Sequence, residues 1–342
     1  MKKTLATLSL VAVAFTMVGC GAASTAAKPE VSKAPVELKN GVRFNVAQGD
    51  KEEAYNDMIK NKIAAAGFKL SDPHERVNDA YAAKYGGTNL DNLGFFSITN
   101  DVALRPLLLK DPSIGGFSPF NEIIYKLKSE DKTYVGHVDP DVMLDIVGAN
   151  DKEVRDDFKA MFPKLDEVVQ NSIGGEVEYY KFNKLPDVSK RMIRFEMPID
   201  REEALSDVIE EFQDKFETAF EKHKFIIAGF KDFKGAYKDL GLPFDRYDAY
   251  FVYSLCHFSF SESIFNRNDQ ATIDGRPEAG AFAPCSMYMY VEKGSDKLEI
   301  GMPTLANWVA VMGIKDPAKL KAIDDLDKEM VQIMKDLGGV QK

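Results

Sequence analysis

The chain repeats itself, and an internal repeat restricts a fold more than composition can, because both copies must close the same way. Asp50-Lys51-Glu52-Glu53-Ala54 is echoed by Asp200-Arg201-Glu202-Glu203-Ala204, and Asp57-Met58-Ile59 by Asp207-Val208-Ile209, all at an offset of 150. Ala80-Tyr81 and Phe95 return as Ala236-Tyr237 and Phe251 at an offset of 156. From Pro112 onward the offset is 165, and Gly115, Phe117, Pro119, Tyr125, Gly136 and Gly148 match Gly280, Phe282, Pro284, Tyr290, Gly301 and Gly313. Both copies close on a glycine pair, Gly174-Gly175 and Gly338-Gly339.

Periodicity gives each copy the same plan. Val42–Val46 and Met192–Glu196 alternate as first strands. Leu205, Val208, Ile209, Phe212, Phe216 and Phe220 form one apolar helical stripe, as do Tyr55, Met58, Ile59 and Ile63. Four strands follow in each copy, then closing helices for which Asn150 and Asp316 are the expected N-caps. The reading is α+β: two tandem β-α-β-β-β-β-α repeats, antiparallel sheets with helices packed on one face. The boundaries are 38–175 for the first repeat, 176–189 for a linker with an extra strand near Glu176–Phe182, and 190–340 for the second repeat.

The N-terminus carries an address. Lys2 and Lys3 precede an uncharged run too short to span a bilayer comfortably, which ends Met17-Val18-Gly19-Cys20. That is the pattern of a secretory signal over 1–19 with a lipobox, resembling bacterial lipoproteins. The resemblance implies lipidation of Cys20 and, with Gly21 rather than Asp after it, anchoring on the periplasmic face of the outer membrane. Residues 20–37 read as lipidated cysteine and flexible tether. The formal net charge of −10 becomes −12 once Lys2 and Lys3 are removed, which excludes nucleic acid as a partner. The expected partners are the membrane, through the lipid, and an unknown small molecule or periplasmic protein.

The segments Ser254-Leu255-Cys256-His257, Ala283-Pro284-Cys285-Ser286-Met287-Tyr288 and Lys293-Gly294-Ser295-Asp296-Lys297 carry a family likeness. The second copy, and more faintly the first, resembles the domain-of-unknown-function-302 family. That resemblance implies a fold like one half of the TATA-binding-protein saddle and no established activity. The chain departs from the pattern by the long segment Phe258–Gly280 and by His257 where Asn is commoner.

Once Cys20 is lipidated, Cys256 and Cys285 remain, at the end of one strand and the start of the next. By offset Asn100 and Phe120 stand opposite them, so only the second copy has the pair. Three readings stay open. The pair is a structural disulfide, contributing roughly 3–4 kcal/mol by closing its loop. It is a working thiol pair, redox-active or, with His257, Met287 and Met289, a site for Cu or Zn. Or the two are independent core thiols, with Met287 and Met289 packing between the copies. His137 faces Met302 in the other copy, which argues against a shared catalytic histidine and for a surface or capping role. His74 reads as a turn, His223 as a helix end, and Trp308 as core. No nucleophile elbow, phosphate loop or dinucleotide fingerprint is present, so no catalytic residue is assigned. A binding module, its ligand at the junction of the copies or beneath Phe258–Gly280, is the expectation.

Overall fold

A computed structural model describes residues 37–268 and 270–342; the expected signal, Cys20 and nearly all of the expected tether lie outside them. The first half runs β1 (Lys39–Gln48), α1 (Glu52–Asp57), β2 (Lys69–His74), α2 (Val77–Tyr85), β3 (Leu90–Thr99), α3 (Asp101–Lys110), β4 (Phe120–Asn121), β5 (Ile123–Leu127), β6 (Lys132–Val138), α4 (Pro140–Val147), α5 (Lys152–Lys159), α6 (Phe162–Ile173) and β7 (Glu176–Phe182). The second half runs β8 (Met192–Pro198), α7 (Leu205–Lys222), β9 (Phe225–Asp232), α8 (Phe233–Asp239), β10 (Tyr247–His257), α9 (Phe258–Phe265), β11 (Cys285–Glu292), β12 (Lys297–Pro303), α10 (Ala306–Met312), α11 (Pro317–Asp336) and β13 (Val340–Gln341).

The strands form two antiparallel sheets of the same order, β2-β3-β5-β6-β1-β7 and β9-β10-β11-β12-β8-β13, with β4 an extra pair to β3. The strand expected as a linker is therefore the closing strand of the first sheet, and β13 is its short equivalent in the second. Short helices after β2, β3, β9 and β10 elaborate the expected order. Their apolar runs are too brief for helical periodicity to show. Asp151, not Asn150, caps α5 by accepting from the Val154 N–H, while Asp316 caps α11 as expected.

Each sheet turns one face to its own helices. Phe216 of α7, for instance, lies 4.7 Å from the ring of Tyr253 on β10. The opposite faces take the other half's 3-10 turn, Pro112–Phe117 on β11 and β12, Pro277–Phe282 on β5 and β6. The exchange is close to reciprocal: Asn121 donates to the Gly280 carbonyl (2.7 Å), and its counterpart Ser286 donates to that of Pro119 (3.2 Å). Residues Glu37–Lys342 form one compact unit for this reason. Register also identifies where the halves meet themselves. Both edge strands carry a bulge at the same place, between Leu70 and Asp72 and beside Gly229. Gly229, the counterpart of Asp72, lies against the Asp72 carboxylate, so that a Cβ there has no room. A residue touching its own counterpart marks a local two-fold axis.

Candidate functional site: a junction cavity and a buried charge cluster

Cys256 and Cys285 are both free thiols, so of the three readings the disulfide is absent. Register supplies the reason. Leu255, not Cys256, stands across from Cys285, and successive strand residues point to opposite faces. Both half-buried cysteines border a small hollow beside Trp308, and Cys256 also reaches the junction. Burial pushes the Cys256 thiol up to about 11, and Cys285 higher still. Both are protonated at neutral pH, the reverse of a reactive thiol.

The set proposed for Cu or Zn does not assemble either. The His257 Nδ1 accepts from the Phe260 N–H (3.2 Å), capping α9. Met287 and Met289 are fully buried in β11 on the face that meets α7, not between the halves. Among the described residues no three His, Cys, Asp or Glu side chains come together as a metal site. Register also corrects one correspondence. Thr99 and Ile98 occupy the places of Cys256 and Leu255, so the offset here is 157, and Asn100 corresponds to His257. Both of those residues are helix N-caps, Asn100 accepting from the Ala103 N–H.

Cys256 lies on the wall of a cavity of about 260 Å³ at the junction. The first half contributes His74, Arg76, Val77, Ala80 and Phe95; the second contributes Ile226, Ala228, Cys256, Phe258 and Pro284. His74, expected in a turn, ends β2 and bonds the Ala228 carbonyl across the junction (2.7 Å). The two-fold relation predicts a second such place, made by the counterparts of Ile226, Cys256, Phe258 and His74: Lys69, Thr99, Asp101 and Lys231. That place is closed by charge. The buried Asp101 carboxylate takes Lys231 (2.8 Å), Lys69 and the Thr99 hydroxyl (3.0 Å). Burial would raise the Asp101 pKa, but the two ammonium groups outweigh it and hold it below the ordinary value. One junction position is thus an ionic plug, and the other an apolar hollow.

A smaller cavity of about 220 Å³ lies beneath the segment that follows α9. Its Lys319 is committed to the Ser263 carbonyl (2.6 Å), at the end of α9. Trp308 packs among Phe260, Phe265 and Phe282 as core.

His137 is not at the surface. It is fully buried between the first sheet and α6. Its Nδ1 meets the buried Glu122 carboxylate at 2.8 Å, and its Nε2 faces Asp166 of α6 at 3.6 Å. Arg43, directly across from His137 in β1, reaches Asp166 (3.3 Å) and Asn45 (2.7 Å), and Asn45 donates to Gln170 of α6 (2.6 Å). Glu122 Oε1, His137 Nε2 and Asp166 Oδ1 are buried without a hydrogen-bond partner. Burial opposes charge on His137; the Glu122 carboxylate, with Asp166 behind it, overrides that and raises the imidazole pKa. Burial raises Asp166, against the pull of His137 and Arg43. Register assigns Arg43, Asn45, Glu122 and His137 the counterparts Ile193, Phe195, Met287 and Met302. Two ionisable residues in apolar strands, each facing a methionine in the other half, were the readable signal. The sequence reading used only the second of these.

Residues 45–172 match the family model described as Domain of unknown function DUF302. The match covers the first half, including Glu122, His137 and Asp166, rather than the second half, where the sequence motif is plainer. The crystal structure of an uncharacterized conserved DUF302 protein from Bacillus stearothermophilus is similar at 18% identity, covering 42% of this chain and 95% of its own, with a TM-score of 0.32. No curated protein matches the chain.

Proposed function

We propose that this protein is a binding module for a small, mainly apolar molecule, held at the periplasmic face of the outer membrane by a lipid on Cys20, and that its halves descend from one duplicated unit. The observation that carries the binding reading is the inequality of the two junction positions. Closing a site with Lys69, Asp101 and Lys231 is available to this fold. Around Cys256 the counterparts of Lys69 and Asp101 are the apolar Ile226 and Phe258, and about 260 Å³ is left open. An apolar cavity of ~150 Å³ already accepts benzene, and ligand sites are concave, mostly apolar and provided with few polar groups. Here Arg76, Glu75 and His74 supply those groups. Thiol-redox chemistry and a Cu or Zn centre at Cys256 and Cys285 draw no support from two half-buried thiols with raised pKa values and no assembled ligand set.

The test is a titration of the purified protein with benzene, indole and hexanoate, followed by methyl NMR at Ile226 and Ala228. Saturable shifts at these methyls are expected. Ala80→Leu, on the exposed rim of α2, should weaken binding at least tenfold and leave thermal stability unchanged. Absence of saturable shifts with all three probes overturns the reading. Mass spectrometry of protein taken from membranes tests the anchor; an unacylated mature N-terminus would end that part of the proposal.

A further inference from the structure

We propose that Arg43, Glu122, His137 and Asp166 form a proton-operated latch, which fastens α6 to the first sheet while the His137 ring is charged and loosens it when that proton leaves. The geometry sets the mechanism. Glu122, at the start of β5, is fully buried and accepts at 2.8 Å from the Nδ1 side of the ring, so a neutral His137 keeps its one N–H there. Its Nε2 then turns a bare lone pair toward the Asp166 carboxylate, acceptor against acceptor, at 3.6 Å. Protonation converts that repulsion into attraction and balances two carboxylates with two cations in a site open to solvent only beside Asp166. Among the described residues no other side chain donates to Glu122 Oε1 or Asp166 Oδ1.

The groups around the ring are few. Arg43 of β1 and Asp166 of α6 flank it, and Asn45 and Gln170 join the same two elements. Asp139, which caps α4 just beyond β6, adds one further carboxylate. Tyr55 of α1 donates to the main-chain carbonyl of Glu122 and leaves its carboxylate free. The second half shows that this fold needs no such charges, because Ile193, Met287 and Met302 fill the same register positions as ordinary core. Buried ionic clusters are often no more stabilising than apolar replacements, so retention of one points to a use other than packing.

The sign follows from the raised imidazole pKa. The latch is fully closed below the ordinary histidine value and is lost as pH rises through the higher folded-state value. The experiment is hydrogen exchange on the whole protein between about pH 5.5 and 8.5, with protection factors corrected for intrinsic pH dependence. Protection in residues 162–173 should fall at least tenfold across that range, with the midpoint of the His137 ring titration seen by NMR. The equivalent helix α11 should stay level. Glu122→Gln should lower the midpoint, and the triple change Arg43→Ile, Glu122→Met, His137→Met should abolish the transition. PH-independent protection of α6 in the unmodified protein, or a His137 ring neutral throughout, overturns the proposal even if a variant does not fold.

Discussion

The two halves share strand order, bulge position and helix caps, yet they differ in the same sense at two places. In the first half the space between sheet and closing helix is ionic, and in the second it is apolar. At the junction the position walled by Thr99 is plugged by charge, and the one walled by Cys256 is hollow. The lesson is that backbone topology tolerates either chemistry, provided charges arrive as a set and apolar residues as a set. A lone exchange violates this, since an unpaired buried charge costs far more than the pair is worth.

That comparison can be broken most forcefully at β11. Met287→Glu, placing one carboxylate among Tyr253 and the α7 aromatics, should destabilise by about 4–5 kcal/mol, measured by urea unfolding. Glu122→Met, which strands His137 between Asp166 and an apolar neighbour, should cost about 3 kcal/mol. The triple change Arg43→Ile, Glu122→Met, His137→Met should cost less than that single one; a larger loss would show that the halves are not interchangeable there.

Gly136 and Gly301 hold the same register position, and alanine sharpens the comparison. A Cβ at Gly136 strikes the Arg43 backbone carbonyl, whereas at Gly301 it strikes the Tyr288 phenol, a side chain rather than backbone. Gly136→Ala should therefore cost about 3 kcal/mol and Gly301→Ala about 1 kcal/mol in the same assay. At the plug, Asp101→Asn should cost about 2 kcal/mol at neutral pH. It should also remove an acid-side dependence, because a carboxylate held low contributes stability above its ordinary pKa that is lost as pH falls through the depressed value. The smallest effect is kinetic. Alkylation of Cys256 should be slow at neutral pH and accelerate toward about pH 11, with Cys285 slower at every pH. Equal and rapid labelling of both would contradict the burial that separates them.

Much of the fold was legible. The strands from Val42–Val46 to Lys297–Gly301 and the stripe from Leu205 to Phe220 lie where alternation and helical spacing put them. Strand identity is a local property of side-chain order. The candidate sites were less legible. One of the three readings of the cysteines made them a disulfide because one ends a strand and the other opens the next, but register places Leu255, not Cys256, across from Cys285. His137 was read as peripheral because nothing in Gly136-His137-Val138 announces Glu122 across the strand pair or Asp166 on a helix beyond it.

The sequence by itself determined the repeat, the elements within it, the acidic character and the lipobox pattern before Cys20, since each depends on neighbours along the chain. Tertiary structure alone decided register, the reciprocal exchange of 3-10 turns and the unequal filling of the two junction positions. Those depend on which distant side chains share one dry space, where a single residue's shift reverses a face and a charge is tolerated only beside its partner.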